Sequence, residues 1–178
     1  MRNVVLAAAV LLAGCGQSAE NPAANADTPS GQVLPIRDNA AVLVRTPNKA
    51  QALKLMHDRH ENMEQIGKAF KTAGRELKAS APSLAVVRPS AATIAGFAPK
   101  VPSWFPPGTG PNVGKTMAKA EIWQKPADFA AKAKAFRGAA LAFNAAAKSG
   151  DMAAIKAGFG DLGKTCKACH DPYRAEKH

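Results

Sequence analysis

The 178-residue chain is poor in cysteine, in aromatic residues and in acidic residues. Its 3 cysteines are an odd number, which fits no fully paired disulfide framework in an exported protein. Aromatic residues make up 6% of the chain, and the 24 Lys and Arg residues are scattered rather than clustered, so a nucleic-acid-binding role is not expected. The formal charge of +11 indicates either a solvated surface or attraction toward acidic redox partners or anionic membranes.

The apolar run near the N-terminus, from Val4 to Leu12, is too short to span a bilayer. It follows Arg2, as in the core of a secretory signal peptide, and ends at Leu12-Ala13-Gly14-Cys15. These four residues resemble the lipobox of bacterial lipoproteins, which implies cleavage before Cys15 and attachment of lipid to that residue. An ordinary secretory signal with an incidental Cys15 is the alternative, and both interpretations export the chain to an oxidising compartment.

Three segments follow from this interpretation of the N-terminus. Residues 1–14 are predicted to be the signal peptide. Residues 15–45 are rich in Ala, Asn, Pro, Ser and Gly, a composition typical of a flexible tether, here a lipid-anchored one. Residues 46–178 are predicted to be the folded domain. The residue after Cys15 is Gly rather than Asp, for which the lipoprotein resemblance implies the periplasmic side of the outer membrane.

Close to the C-terminus, Cys166 and Cys169 are followed directly by His170. A structural zinc site needs four protein ligands, and these residues supply three at most. A thioredoxin-type redox pair would follow a strand, and nothing strand-like precedes this one. Covalent haem needs two thiols that add to its vinyl groups and an adjacent imidazole that ligates the iron. We therefore predict one covalently attached haem c, with a zinc or thiol-redox lipoprotein as a remote alternative.

Helical periodicity occurs in four segments after the tether, and strand alternation is not evident. The first helix is predicted to begin at Thr46-Pro47, as N-cap and first helical residue, and to end near Lys78. The second is predicted between Ser83 and Ala98, with Pro89 either kinking it or starting it. Residues 99–114 are predicted to form a Pro/Gly-rich loop. The third helix is expected to begin near Pro126.

The fourth helix is predicted to follow a break and cap at Ser149-Gly150-Asp151. Its apolar positions alternate by three and four residues, as in the seam of a helix bundle. They are Met152, Ile155, Phe159, Leu162, Cys166, Cys169 and Tyr173. On the first helix the apolar positions include Leu53, Met56, Met63, Ile66 and Phe70. The fold class is therefore predicted to be all-α, an antiparallel four-helix bundle with a covalent haem on its last helix.

This order of features resembles class II cytochromes c, the cytochrome c′ family. The resemblance rests on "RHENMEQIGKAF" at 59–70, "IW" at 122–123, "ADF" at 127–129, "SGD" at 149–151 and "CKACHDPYR" at 166–174. Cys166 and Cys169 correspond to the thioether pair and His170 to the proximal iron ligand. Arg59 corresponds to the arginine that pairs with a haem propionate at the rim of the pocket, and His60 is expected to contact the same group.

The resemblance also implies further haem contacts. Arg174, one turn after His170, corresponds to a basic residue that tunes the proximal histidine, with helix-dipole compensation as the alternative. The other residues expected to contact the haem are Gly67, Phe70, Met117, Trp123, Phe129 and Tyr173, and plain core packing is the alternative for the aromatic ones.

Met63 decides between two kinds of iron site that the resemblance allows. In one, Met63 packs over a five-coordinate iron that binds NO or CO. In the other, Met63 is the sixth ligand of a low-spin electron carrier, and Met56 is a second candidate. We expect the five-coordinate site, with redox proteins as further partners and a homodimer allowed. No nucleophile or carboxylate dyad is evident, so enzymatic turnover is not expected.

Overall fold

The computed structural model describes residues 46–176 as five α-helices and one 3₁₀ helix. The helices are α1 (Lys49–Glu76), α2 (Leu84–Phe97), α3 (Glu121–Gln124), α4 (Pro126–Ser149) and α5 (Met152–Tyr173), and the 3₁₀ helix is Ala98–Trp104. Within this range there is no β-strand, so the all-α prediction is confirmed. None of these helices combines the length and apolar character needed to cross a bilayer. The predicted signal peptide, Cys15 and the tether lie outside the described residues.

The start of α1 differs from the prediction. Its N-cap is Asn48 rather than Thr46, because Asn48 and Gln51 satisfy each other's backbone groups. The Asn48 Oδ1 accepts from Gln51 N at 2.9 Å, and Gln51 Oε1 accepts from Asn48 N at 3.0 Å. Such a reciprocal capping box neutralises two N–H groups that the first turn leaves without partners. The prediction from Thr46-Pro47 was therefore two residues early.

The segment after α2 is more regular than predicted. Residues 98–104, which include the first part of the predicted loop, form a 3₁₀ helix that continues directly from α2. Short 3₁₀ pieces commonly extend α-helices in this way. Pro89 lies inside α2 and does not start it. The helix begins at Leu84, five residues before Pro89, and Ser83 is its N-cap.

The bundle core is formed by the apolar faces of the four long helices. α1 packs on α2, α2 on α4, and α4 on α5. The periodic aromatic positions of α4, Phe129, Phe136 and Phe143, are all buried, as their spacing predicts. On α1 the predicted position Leu53 is wrong, since its side chain is 42% exposed and the neighbouring Ala52 is buried instead.

α1 and α5 meet through aromatic side chains rather than through extensive close backbone contact. The rings of Phe70 and Phe159 stack with centroids 4.3 Å apart. Nearer the end of α5, the segment between the 3₁₀ helix and α3 approaches both helices. It contacts α1 through Arg59 and the end of α5 through residues 117–119. The candidate site lies at this end of the bundle.

Candidate functional site

The last two turns of α5 carry the two cysteines and the histidine. Cys166 and Cys169 are half-buried and pack against the core cluster, as the seam pattern predicts. His170 follows on the same helical turn and is exposed. The Arg174 N–H donates to the His170 carbonyl at 2.9 Å, so the helix holds its geometry through the motif. One turn thus brings two thiols and an imidazole together beside the core.

The two thiols are protonated at neutral pH. Burial raises the pKa of Cys166 to about 11, with a further contribution from neighbouring Cys169. Burial also raises the pKa of Cys169. Thiol-redox centres and zinc sites use thiolates, and reactive cysteines have a lowered pKa. The environment therefore disfavours both remote alternatives, whereas half-buried thiols facing the core suit attachment to a large apolar group.

The imidazole of His170 is neutral at neutral pH. Partial desolvation lowers its pKa, and the positive charge of Arg174 one turn later lowers it further, although Asp171 acts in the opposite direction. Neutral imidazole is the form that ligates iron. Lys119 and Arg174 lie with His170 along the same open cavity of about 680 Å³.

Arg59 is the buried charged residue of the site. Its side chain was expected at the rim of a pocket, but Arg59 is 4% exposed. Its two terminal nitrogens donate to Thr109 Oγ1 at 3.1 Å and to Thr116 Oγ1 at 2.9 Å. The guanidinium also lies 5.0 Å from the centroid of the Phe105 ring and 5.6 Å from that of Trp123.

The charge of Arg59 is not matched by an acidic side chain. Among the residues that the structure describes, no carboxylate forms an ion pair with its guanidinium. Burial lowers its pKa to about 10. A buried cation is costly to solvate without a counter-charge. The site therefore offers a desolvated positive charge that suits an anionic group such as a propionate.

Aromatic rings connect Arg59 to the end of α5. The ring of Phe105 packs edge-on against Phe129, with centroids 5.0 Å apart, and Phe129 packs edge-on against Tyr173 at 5.4 Å. The Trp123 indole N–H donates to the carbonyls of Phe105 and Pro106, both at 3.1 Å. The predicted residues Trp123, Phe129 and Tyr173 are thus brought together with Arg59 and the haem-type motif.

The chain's single tyrosine, Tyr173, donates its hydroxyl to the Asp128 carboxylate. Desolvation raises the pKa of Tyr173 to about 12, and the hydrogen bond and charge of Asp128 add to the effect. Because the pKa of Tyr173 is raised in the folded protein, its neutral hydroxyl stabilises the fold fully at any pH below the ordinary tyrosine pKa of about 10. This contribution is lost as the pH rises toward 12.

We therefore expect tyrosinate absorbance to appear near pH 12, with a decline in stability beginning near pH 10. Because Tyr173 is the single tyrosine, ultraviolet titration reports on this one group. Asp128→Asn should move the midpoint downward, since it removes the neighbouring negative charge. A wild-type midpoint at the ordinary value, unchanged in the Asn variant, would show that the hydrogen bond has no such effect.

The remaining predicted residues lie at different depths. Met63 and Phe70 are half-buried against the core, and Met56 is 6% exposed. Gly67 has open space where a Cβ would lie. His60 is exposed, and its Nε2 lies 3.4 Å from Glu64 Oε1. The structure therefore does not bring His60 together with Thr109 and Thr116, the residues whose hydroxyl groups accept from Arg59.

Met117 is positioned through its backbone. Its carbonyl accepts from Ala175 N at 2.8 Å, and Lys119 N donates to the Tyr173 carbonyl at 2.9 Å. Ala118 and Arg174 form an isolated antiparallel bridge between these bonds. The segment before α3 is thereby fixed against the end of α5, next to His170.

Sequence reasoning missed Phe105, Thr109, Thr116 and Asp128. The two threonines belong to an irregular segment where no periodicity marks a partner, although Thr109 is fully buried. They lie 50 and 57 residues from Arg59, and such pairings leave no trace in a single sequence. Asp128 stands within "ADF" at 127–129, a stretch in which only Phe129 was expected to contact the haem.

These features define a helical bundle whose last helix carries a c-type haem-attachment motif with both thiols packed against the core. Residues 54–174 match the sequence profile of the family described as Cytochrome C′. The chain belongs to the cytochrome c′ family, whose proteins carry one covalently bound haem c. The residues present fit that group, since thiols, a neutral imidazole and an unmatched buried cation lie at one end of the bundle.

Individual relatives agree with this assignment. The cytochrome c′ of Alcaligenes xylosoxydans is 44% identical to this chain over 68 residues. The matched residues are 38% of this chain and 54% of that protein, so the chain spans about half the length of this relative. A solved cytochrome c′ with ligand-controlled dimer dissociation superposes with a TM-score of 0.65 at 30% identity, covering 70% of this chain and 97% of the other. A nitric oxide complex of a mutant cytochrome c prime from Alcaligenes xylosoxidans superposes with a TM-score of 0.63 at 30% sequence identity. The match covers 75% of this chain and 100% of the other.

Proposed function

We propose that this protein is a mono-haem cytochrome c′ of the periplasm that binds NO and CO at a five-coordinate iron, exchanges electrons, or does both. The observation that carries the proposal is the haem-attachment motif on α5, with both of its thiols half-buried against the core and protonated. Membership of the family supports a gas-binding or electron-carrying role, and we propose no enzymatic turnover.

Each residue of the site has a proposed role. Cys166 and Cys169 hold the haem through thioether bonds, and the neutral His170 imidazole is the proximal ligand. Arg59 donates to a propionate from its desolvated position, and Arg174 tunes the basicity of His170. When bound, haem supplies a redox-active iron that can take a diatomic ligand. Gly67, Phe70, Met117, Trp123, Phe129 and Tyr173 wall the haem, and His60 would reach it only by turning from Glu64.

The proposal of an open sixth coordination position at the iron depends on the residue at the distal side of the site. Met63 is half-buried among apolar residues, where a thioether can pack without bonding to iron. The nitric oxide complex of the Alcaligenes relative supports an iron that accepts a diatomic ligand. The alternative, a low-spin carrier with Met63 as sixth ligand, is not favoured.

A visible spectrum of the purified ferrous protein, recorded before and after addition of CO, tests this proposal. A five-coordinate iron should give a high-spin spectrum that shifts when CO binds. A fully low-spin ferrous spectrum that CO leaves unchanged would contradict the gas-binding role and leave the electron carrier. A protein without a Soret band would contradict the haem assignment altogether.

Arg59→Met should lower the reduction potential of the haem. A buried positive charge beside the haem disfavours the more positive ferric form, so its removal should shift the potential by roughly −60 mV, about tenfold in the one-electron equilibrium. The fold should survive, because Thr109 Oγ1 also donates to the Pro106 carbonyl and Thr116 Oγ1 also accepts from Ala118 N.

A redox titration measures this effect, and Arg137→Met is the matched control. Arg137 is exposed on α4, where solvent and salt screen its charge. Its variant should shift the potential by much less. Equal shifts in the two variants would mean that Arg59 acts only through net charge.

We also propose that Cys15 carries a lipid that anchors the protein, through residues 15–45, on the periplasmic side of the outer membrane. The support is the sequence Leu12-Ala13-Gly14-Cys15 after an apolar run. Cys15→Ala should move the protein from the membrane fraction to the periplasm, or leave it with an uncut signal. Fractionation and mass spectrometry of the mature N-terminus measure this. An unmodified N-terminus at another residue would refute the anchor.

Redox proteins are proposed as the macromolecular partners, and a homodimer is a further proposal. The dimer is supported by the relative whose dissociation is ligand-controlled. Sedimentation of the purified protein with and without CO tests it.

A further inference from the structure

A row of basic residues follows one face of the last three turns of α1. The row, called here the basic row, consists of Lys68, Lys71, Arg75 and Lys78. Their spacing of three, four and three residues places them on the same side of the helix, continuing just past its end. All four are exposed. The row lines an open groove of about 510 Å³.

The positive charge of this row is largely unmatched. Lys68 has one carboxylate neighbour, Glu64 Oε2 at 3.8 Å, in an exposed pair that contributes little. Among residues 46–176, no carboxylate pairs with Lys71, Arg75 or Lys78. The nearby Glu76 carboxylate accepts from the Ser83 N–H at 2.7 Å and caps the following turn.

The floor of the groove is apolar and aromatic. It is made by the stacked rings of Phe70 and Phe159. Gly74 allows this arrangement, because a Cβ at that position would lie 2.8 Å from the Phe159 ring. A glycine inside a helix is less favourable than alanine, and here it opens the surface of α1 so that the Phe159 ring of α5 can lie against it.

The groove is connected to the haem-attachment turn. The Phe70 ring comes within 3.3 Å of where a Cβ of Gly163 would lie, and Gly163 is one turn before Cys166. A partner seated on the Phe70–Phe159 floor would therefore contact α5 directly through Phe159, and the Phe70 ring alone would separate it from the turn that precedes Cys166.

We propose that this groove is the docking surface for an acidic partner protein that inserts one apolar side chain between Glu or Asp residues. The basic row supplies the charge complementarity, and the floor supplies a pocket for the side chain. A protein fits better than a membrane, because both aromatic rings are partly buried at the floor of the groove and do not project as membrane-inserting side chains do. The identity of the partner as a redox protein rests on the proposed function.

The probe is a fluorescent heptapeptide in which one leucine is flanked by three glutamates on each side, titrated with the haem-loaded full chain at low salt. The triple variant Lys71→Gln, Arg75→Gln, Lys78→Gln should weaken binding about tenfold. The matched control, Lys134→Gln, Arg137→Gln, Lys148→Gln, removes the same charge from exposed positions of α4 and should change binding less than about twofold. Replacing the peptide's leucine with serine should weaken binding about fivefold.

Equal weakening in the two triple variants would overturn the proposal, because net charge alone would then explain binding. Equal binding of the leucine and serine peptides would overturn the role of the aromatic floor. Binding to phosphatidylglycerol vesicles that depends on the basic row, with no binding of the peptide, would assign the surface to a membrane instead. The visible spectrum of each variant separates these results from a failure of haem attachment, which would contradict the proposed function.

Discussion

Replacing both Cys166 and Cys169 with alanine should abolish covalent haem. Each thiol is half-buried against the core and protonated, placed to form one of the two thioether bonds. Without them the haem would be held by His170 and by contacts alone, and denaturation would release it. Haem staining after denaturing electrophoresis measures the loss, which should be complete in the double variant.

The third cysteine provides the matched control. Cys15→Ala should retain its haem fully, since Cys15 lies outside the predicted bundle. Each single variant, Cys166→Ala or Cys169→Ala, should retain haem through one bond at lower yield. Full retention of haem in the double variant would show that these cysteines are not the attachment points.

Met63→Ala should speed CO binding by at least about tenfold, equivalent to about 1.4 kcal/mol in the barrier. If Met63 packs over the iron without bonding to it, truncation enlarges the distal pocket and leaves the ferric spectrum high-spin. Flash photolysis of the CO complex measures the rate. If Met63 were the ligand, the same substitution would turn a low-spin spectrum into a high-spin one.

Met56→Ala is the control for this prediction. Met56 is buried seven residues earlier on the same helix face, so its truncation should destabilise the protein by about 2–5 kcal/mol without changing the CO rate. A faster rate in this variant, with no change in Met63→Ala, would identify Met56 as the distal residue.

The bundle itself could be predicted from the sequence because its periodicity is strong. Phe129, Phe136 and Phe143 recur every seven residues on α4, and Asp151 caps α5 through Ala153 N and Ala154 N as the break at Gly150 indicates. The start of α1 could not be placed correctly, since Thr46 and Asn48 are both good N-cap residues. Only the side-chain hydrogen bonds of Gln51 distinguish them.

The grouping of the candidate site residues could be predicted where they share one helical turn. It could not be predicted where they come from distant segments of the chain. The spacing of Cys166, Cys169 and His170 placed them on a common face of α5. The depth of Arg59 could not be foreseen, because a residue at the edge of an apolar stripe is covered or left open by what packs on it. Here Phe105 and Thr109, from a segment without periodicity, cover the guanidinium.

Intact-mass spectrometry of the denatured wild-type protein tests the central claim most directly. If one haem c is attached through Cys166 and Cys169, the mass should exceed that of the processed, lipid-free polypeptide by one haem. Digestion should then place this mass on the peptide that contains both cysteines, and acid-acetone should extract no haem. A denatured chain at the bare polypeptide mass, with its haem recovered in acid-acetone, would contradict the account.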